Sequence, residues 1–153
     1  RIGQTKGFPG AVAVNGTMLD ITGDTPEIAA YEEAGRLYLD GGVLIGALDG
    51  VVRDRIRMAL NGHVTVTLLI DEDGEALGDP WCDAMGLPET GRSKAALVEV
   101  LEEDLSQFVG RANAKTMRDD KKLEDGLRRV VRQSAQDEIG KKPEVTVVIS
   151  RLS

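Results

Sequence analysis

The residues that could perform nucleophilic or metal chemistry are few in this sequence and stand apart from one another. The chain of 153 residues holds one histidine, His63, and one cysteine, Cys82. His63 follows an Asn-Gly turn, and no general base stands near Cys82, so we interpret both as structural residues. One His and one Cys exclude a disulfide framework and a Cys/His zinc cluster. We therefore predict no catalytic residue and no metal ligand here.

Two further motifs have simple structural interpretations. The run Asp71-Glu72-Asp73-Gly74 resembles the start of a calcium loop but lacks the third acidic position and the closing glutamate, so it predicts a hairpin turn. Gly41-Gly42 with Gly46 is not a dinucleotide fingerprint, because no long helix clearly follows it. Neither motif indicates a ligand.

Cationic residues are the remaining candidates for contact with another molecule. The densest cluster is Arg53-Asp54-Arg55-Ile56-Arg57, which favours either an internal Arg–Asp pair or a contact to phosphate or a partner. Residues 111–142 carry ten bases and six acids, whereas residues 71–104 carry eleven acids and two bases. The candidate contacts to RNA or a partner are Arg53, Arg55, Arg128, Arg129 and Arg132.

Three interpretations of the basic stretch 111–142 stay open. It is a phosphate-contacting stripe, the solvated face of a helix, or one side of a contact between acidic and basic surfaces in a homo-oligomer or between domains. We favour the solvated face, because four acids stand among the bases and no aromatic residue interleaves with them.

The composition limits the class of protein. Apolar residues make up 41% of the chain, charged residues 29% and aromatic residues 3%, with a net charge of −7. These values exclude a disordered tail and a uniformly basic nucleic-acid binder, and they predict an aliphatic core. No apolar run approaches the roughly 18 residues that span a bilayer. The chain begins with Arg1 and shows no signal-peptide pattern, so we expect a piece of a longer protein.

The first half of the chain reads as strands and turns. Residues 11–14 and 17–21 predict two strands joined by the Asn15-Gly16 turn, with a polar linker at 22–26. Residues 36–39 predict a short strand, which residues 43–48 continue after a bulge. The segment 49–60 fits either helical turns or an edge segment.

The second half predicts a strand, a turn, two helices and a last strand. Residues 64–70 form the strongest strand, and the neighbouring Leu68, Leu69 and Ile70 indicate burial of both faces at its end. After the turn at 71–74, a return strand opens at 75–78, and Trp81 and Cys82 lie in a loop.

The helices have clear apolar stripes. The first begins after Ser93 as N-cap, and the second runs from Asp119 or Asp120 to Gly140. Residues 144–152 predict a strand buried in a sheet. The fold class is α+β, a small mixed β-sheet with two α-helices packed on one face. The helical stripes consist of Leu97, Val98, Leu101, Leu105 and Phe108, then Leu123, Leu127, Val130, Val131, Ser134 and Ile139.

Four segments, in order, carry a family resemblance. They are NGTML at 15–19, GRLYLDG at 35–41, the block 53–69 that opens with RDR and closes with a strand, and KKP before the strand at 141–149. Together they resemble the C-terminal region of ribonuclease J, a β-CASP metallo-β-lactamase nuclease. The resemblance implies that 1–34 is the end of the metallo-β-lactamase core plus a linker, and that 35–153 is the ribonuclease J C-terminal domain.

The resemblance also implies a function. The parent enzyme would be a cytoplasmic, zinc-dependent ribonuclease of RNA decay and maturation, a 5′→3′ exonuclease and endonuclease. Its His/Asp-rich zinc motif is absent from this sequence. The segment would support assembly into a homodimer or homotetramer and contact the catalytic domains of the same chain, with no membrane contact. The alternative is an RNA-binding module that guides substrate, and a third is an adaptor for another protein.

Overall fold

The computed structural model describes residues 6–7, 9–32, 34–47 and 49–152. The chain divides into two compact units, Arg1–Val52 and Arg53–Ser153, which we call the N-terminal unit and the C-terminal unit. The domain boundary that the resemblance places after residue 34 stays a prediction. None of the helices in these described ranges is both long and apolar enough to cross a membrane.

The N-terminal unit begins with a hairpin other than the predicted one. Strand β1 (Thr17–Asp20) pairs antiparallel with β2 (Glu27–Tyr31). The turn at Asn15-Gly16 forms, but the strand predicted at 11–14 is wrong, since those residues are exposed and extend no ladder. The partner comes from beyond the polar linker, where Asp20 Oδ1 accepts hydrogen bonds from Thr22 N (2.8 Å) and Thr22 Oγ1 (2.7 Å).

A second hairpin follows in the same unit. Strand β3 (Leu37–Asp40) confirms the prediction at 36–39 and pairs antiparallel with β4 (Val43–Gly46). The chain therefore reverses and does not continue after a bulge. Gly41 adopts φ +61°, a left-handed conformation that glycine tolerates and that permits the reversal. Leu48, the end of the predicted continuation, lies outside the described residues.

The C-terminal unit contains a three-stranded mixed sheet built from β5 (His63–Ile70), β6 (Trp81–Met85) and β7 (Glu144–Arg151), in the order β6-β5-β7. Strand β5 follows helix α1 (Gly50–Asn61), which resolves the ambiguous segment as helical. It pairs antiparallel with β6 and parallel with β7. A parallel neighbour requires a long crossover, which here holds three helices. These are α2 (Leu97–Arg111), α3 (Ala114–Met117) and α4 (Asp120–Ile139).

Both long helices pack on one face of this sheet, which confirms the α+β prediction. Alternate side chains of β5 are buried against Leu101 of α2 and Leu127 of α4. We call the opposite side the open face. Leu69 lies there and is 43% exposed, so the predicted burial of both faces is wrong. The helices cover only one face of the sheet. Leu69 points to the other face, because successive side chains of a strand point to opposite faces.

The ends of the two long helices differ in how well the sequence predicts them. Asp119 caps α4 by accepting a hydrogen bond from Lys122 N (3.1 Å), and Gly140 ends it at φ +68°, as predicted. The prediction that Ser93 caps α2 is wrong, because α2 starts at Leu97 without a side-chain cap. Ser93 Oγ donates instead to Glu138 Oε2 (2.8 Å) and joins the loop to α4.

Two strand predictions also need correction. Residues 75–78 contribute a single bridge, Ile70 to Ala76, and the return strand is β6, which contains the supposed loop residues Trp81 and Cys82. Strand β7 forms as predicted, yet it lies at an edge of the sheet and is not enclosed between neighbours. The apolar pattern of the sequence predicts that a strand forms, but not whether that strand lies at the centre or at the edge of the sheet.

Candidate interaction surfaces

Cys82 has the environment of a structural thiol. Its side chain is buried on the helix side of β6, with Sγ 3.8 Å from the Val98 carbonyl oxygen. Burial, together with the nearby carboxylates of Glu102 and Asp83, raises the pKa of the Cys82 thiol to about 12. The thiol is therefore protonated at neutral pH and is not a nucleophile.

His63 and the acidic turn also have structural partners. His63 Nε2 lies 2.9 Å from Thr146 Oγ1, which links β5 to β7 across the open face. Asp71 Oδ1 accepts the backbone N–H groups of Asp73 (3.0 Å) and Glu75 (2.8 Å), so the 71–74 run is the predicted hairpin turn. Within the described ranges, no group of three or more His, Cys, Asp or Glu side chains is placed to hold a metal ion.

The arginines predicted on 53–57 lie on α1. Arg53 and Arg55 are exposed, and the internal pair expected for this cluster forms between Arg57 Nη1 and Asp54 Oδ1 at 4.0 Å. Both partners of that pair are more than half exposed, so it contributes little to stability. The contact role of Arg53 and Arg55 stays a prediction.

Arg128 and Arg132 of α4 are bound to the edge strand and to acidic neighbours. Arg132 Nε donates to the Pro143 carbonyl (3.1 Å), and Arg128 Nε reaches the Val145 carbonyl at 3.5 Å. Arg128 also pairs with Glu124 and Asp125, and Arg132 Nη2 lies 3.5 Å from Glu144 Oε2. These two arginines therefore secure the start of β7.

Arg129 faces outward between two clefts. The α2–α4 cleft, about 420 Å³, is floored by Phe108 and Val130 and rimmed by Arg111 and Arg129. The cationic cleft, about 410 Å³, runs along α4 and is lined by Arg128, Arg129, Arg132 and Lys142. The structure thus brings the three predicted α4 arginines together. It adds Arg111 and Lys142, which belong to the basic stretch 111–142 but not to the five candidate contacts, and Phe108, which was predicted only as part of an apolar stripe.

A different surface lies across the sheet. The open face carries Trp81, which is 59% exposed, and Met85, which is 70% exposed, on β6, and Val148 on β7. Register places Trp81, Thr67 and Val148 in one row across the three strands. Large apolar side chains exposed on one face of a sheet are typical of a surface that contacts another protein.

Two comparisons relate this chain to known proteins. A family model described as the Ribonuclease J C-terminal domain matches residues 50–152. A relative from Sinorhizobium meliloti (strain Sm2011 / Rm2011 / 2011), named Ribonuclease J, is 31% identical over 153 residues, which is 99% of this chain. The chain spans 27% of the length of that relative.

Proposed function

Because the chain belongs to the ribonuclease J C-terminal domain family, we propose that it assembles and stabilises a ribonuclease J-like enzyme and is not itself catalytic. The parent enzyme would cleave RNA in decay and maturation, as a 5′→3′ exonuclease and endonuclease, with zinc bound in another part of the chain. Assembly would bring a second copy of this domain together with the first. The observation that carries the proposal is the free edge of β7.

The backbone direction along β7 identifies which groups are free. Glu144 N–H donates to the Gly62 carbonyl (3.0 Å) and Leu152 N–H donates to the Ile70 carbonyl (2.8 Å). The backbone groups of even-numbered residues therefore face β5. Those of Val147 and Ile149 face away from it, since directions alternate along a strand. Among the described residues, β7 pairs with β5 alone.

This edge is protected only at its two ends. Arg132 and Arg128 occupy the carbonyls of Pro143 and Val145, and at the other end Arg151 Nε turns back to Asp120 Oδ1 (2.9 Å). The centre, Val147 to Ile149, offers two N–H and two C=O groups. An exposed strand edge is a template for pairing with another chain.

Antiparallel pairing of two copies of β7 satisfies all of these central groups. A two-fold axis through Val148 would set the Val147 and Ile149 positions of the two copies opposite one another, and two three-stranded sheets would join into one. Such an interface is self-complementary, as a two-fold dimer requires. The side chains of the two Val148 residues would meet on the open face at the axis.

The test uses size-exclusion chromatography with light scattering on the chain and its variants. Val148→Lys sets like charges directly opposite each other at the axis, so we expect the oligomer to dissociate. Val148→Thr keeps the β-branched shape without charge and should retain the mass of the oligomer. Trp81→Lys introduces the same charge on the same face but on β6, and should also retain it.

Other results would contradict the proposal. A wild-type chain that stays monomeric at its highest soluble concentration would exclude self-assembly through this domain. Dissociation by Trp81→Lys alone would place the contact on the open face and not on the β7 edge. For the catalytic part, we expect no RNA cleavage by the chain with zinc, manganese or magnesium, and cleavage that survives stringent purification would refute it.

A further inference from the structure

The α2–α4 cleft is a groove between two antiparallel helices. Ser134 Oγ donates a hydrogen bond to Asp104, and Phe108 packs over Gly126, so residue numbers rise along α2 as they fall along α4. The α2 residues of the cleft follow the i, i+3, i+4, i+7 spacing of a single helix face. The groove therefore runs along the helices for about two turns. These α2 residues are Asp104, Gln107, Phe108 and Arg111.

The floor of this groove is apolar. Phe108 and Val130 form it, and both are half-buried and packed against the core. The Phe108 ring sits deep between the helices because Gly126 has no side chain, and a Cβ there would overlap the ring. About 420 Å³ lies open above the floor. A hydrophobic groove of this kind is the form that receives an amphipathic helix of a partner.

One end of the groove carries exposed carboxylates. Glu103 of α2 and Asp137 of α4 lie toward this end, since the neighbouring Asp104 and Ser134 are in contact. Glu103 Oε1 accepts a hydrogen bond from Gln107 Nε2 (3.0 Å), and Asp137 Oδ2 accepts one from Gln133 Nε2 (3.0 Å). Both donors are neutral amides, so the two negative charges stay uncompensated.

The other end of the groove carries exposed cations. Arg111 of α2 and Arg129 of α4 line it, and neither forms an ion pair with any residue in the described ranges, unlike Arg128. The charge on the rim therefore changes sign along the groove, from negative at Glu103 and Asp137 to positive at the two arginines.

We propose that the α2–α4 cleft binds one amphipathic helix of a partner protein, a helix whose own charges change sign along its length. Apolar side chains in the middle of the partner helix would fill the floor over Phe108 and Val130. Its carboxylates would lie over Arg111 and Arg129, and its basic side chains over the acidic end. Opposite charges at the two ends fix the direction in which the helix lies. The cleft is on the helix layer, so the inference does not rest on the proposed assembly through the β7 edge.

Two other occupants match the groove less well. A polyanion would satisfy Arg111 and Arg129 but would meet the uncompensated carboxylates of Glu103 and Asp137, and like charges brought together oppose binding. A second copy of this chain presents the same concave groove, and two grooves placed face to face leave both apolar floors unfilled. A single helix fills the floor and answers the charge at both ends.

The test is fluorescence anisotropy of a labelled synthetic helix with the chain. The probe is a peptide of about 18 residues, or five turns, with leucines along one face, glutamates in its first half and lysines in its second half. The control peptide has the same residues with the glutamates and lysines interleaved, so its net charge and apolar face are unchanged. We expect the probe to bind at least about fivefold more tightly, from several exposed ion pairs. Alanine in place of the leucines should abolish binding.

Three variants of the chain locate the probe. Arg129→Glu and Glu103→Lys reverse the charge at opposite ends of the groove, and each should weaken binding of the probe at least about threefold. Lys121→Glu is the matched control, because it changes an exposed cation of α4 outside the groove, and it should have a much smaller effect. The result for Glu103→Lys is diagnostic, since the same substitution would strengthen the binding of a polyanion. Thermal unfolding of every variant verifies that the fold is intact.

Four results would each overturn the proposal. The probe and the interleaved peptide could bind equally, or Arg129→Glu and Lys121→Glu could weaken the probe to the same extent. A fall in the oligomeric mass of the chain on Arg129→Glu would assign the groove to a second copy. Loss of probe binding in Val148→Lys would place the site on the β7 edge, whereas full binding by that variant supports a separate site whatever its oligomeric state.

Discussion

The two units of this chain contain similar strand sequences but differ in what those strands pack against. In the C-terminal unit, β5 buries Val64, Val66, Leu68 and Ile70 under two amphipathic helices. In the N-terminal unit no described residue is buried, and Leu39 of β3 is 71% exposed. Both hairpins there are two-stranded, and an isolated two-stranded hairpin is marginally stable in water.

The difference shows that a strand pattern alone does not make a core. The N-terminal hairpins form through turn chemistry, such as the Asp20–Thr22 hydrogen bonds, and leave most of their large apolar side chains exposed. The C-terminal unit adds a layer of helices, so the apolar side chains that alternate along its central strand are buried beneath that layer. We therefore expect substitutions that affect stability strongly to lie in the C-terminal unit.

The largest effect is expected from removal of β7. A chain that ends at Lys142 loses the whole parallel ladder with β5, and it loses Val145, Val147 and Ile149, which pack against the core. Because β7 completes the sheet of its own unit, we expect the C-terminal unit to unfold. Circular dichroism and molecular mass measured together on the same sample report fold and assembly separately.

A matched deletion sharpens this prediction. A chain that begins at Asp49 lacks β1 to β4 but keeps α1 and the C-terminal unit, and should retain its helical signal and cooperative melting. If the chain ending at Lys142 stays folded and keeps its oligomeric mass, then β7 is required for neither property, and the sheet does not depend on it.

Single core substitutions come next in magnitude. Leu101 and Leu127 are fully buried on the facing sides of α2 and α4. Replacing either with alanine should lower the free energy of unfolding by about 2–5 kcal/mol, from lost burial and the cavity that remains. Urea unfolding followed by circular dichroism measures this change.

The hairpin counterparts are Leu39→Ala and Leu44→Ala. Their side chains are 71% and 65% exposed, so a change of less than about 0.5 kcal/mol is expected. A loss of several kcal/mol at Leu39 or Leu44 would mean that the N-terminal unit has a core of its own. A negligible loss at Leu101 would mean that α2 uses its apolar stripe for a partner.

Local signals predicted the helix layer well. The spacing of the apolar stripes predicted both long helices. Asp119 and Gly140 predicted the ends of α4, because helix capping depends on a few adjacent residues. Which strands pair with each other was harder to predict. The partner of β1 lies beyond a polar linker, and the edge position of β7 follows from the crossover, which is a non-local property.

The candidate contacts illustrate the same limit. Arg128, Arg129 and Arg132 look equivalent in sequence, yet two of them hold the β7 edge and one lines both clefts. Phe108 lies 21 residues before Arg129, and only the packing of α2 on α4 brings them together. A periodicity argument on one helix cannot find a site whose residues come from two.

The smallest expected effect compares two aspartates, one in each unit. The pKa of Asp119 is lowered mainly by the hydrogen bond from the Lys122 ammonium group and then by the Lys122 backbone N–H. The pKa of Asp20 is lowered by the Thr22 backbone N–H and then by its hydroxyl. A lowered folded-state pKa gives stability that is present above the ordinary value near 4 and is lost as pH falls through the folded value.

These two carboxylates should differ in their effect on cooperative unfolding. Asp119 begins a helix of the core, so Asp119→Asn, which keeps an N-cap oxygen but removes the charge, should flatten the pH dependence of the melting temperature below about pH 4. Asp20→Asn should not, because the hairpin it closes has no core to melt. Thermal unfolding at pH 7 and pH 3 measures the change in melting temperature, and NMR titration of both carboxyl groups measures their pKa values.

High salt should diminish the Asp119 effect, since the group is exposed. An equal flattening by Asp20→Asn would show that the N-terminal hairpin unfolds together with the core, and the contrast between the two units would fail.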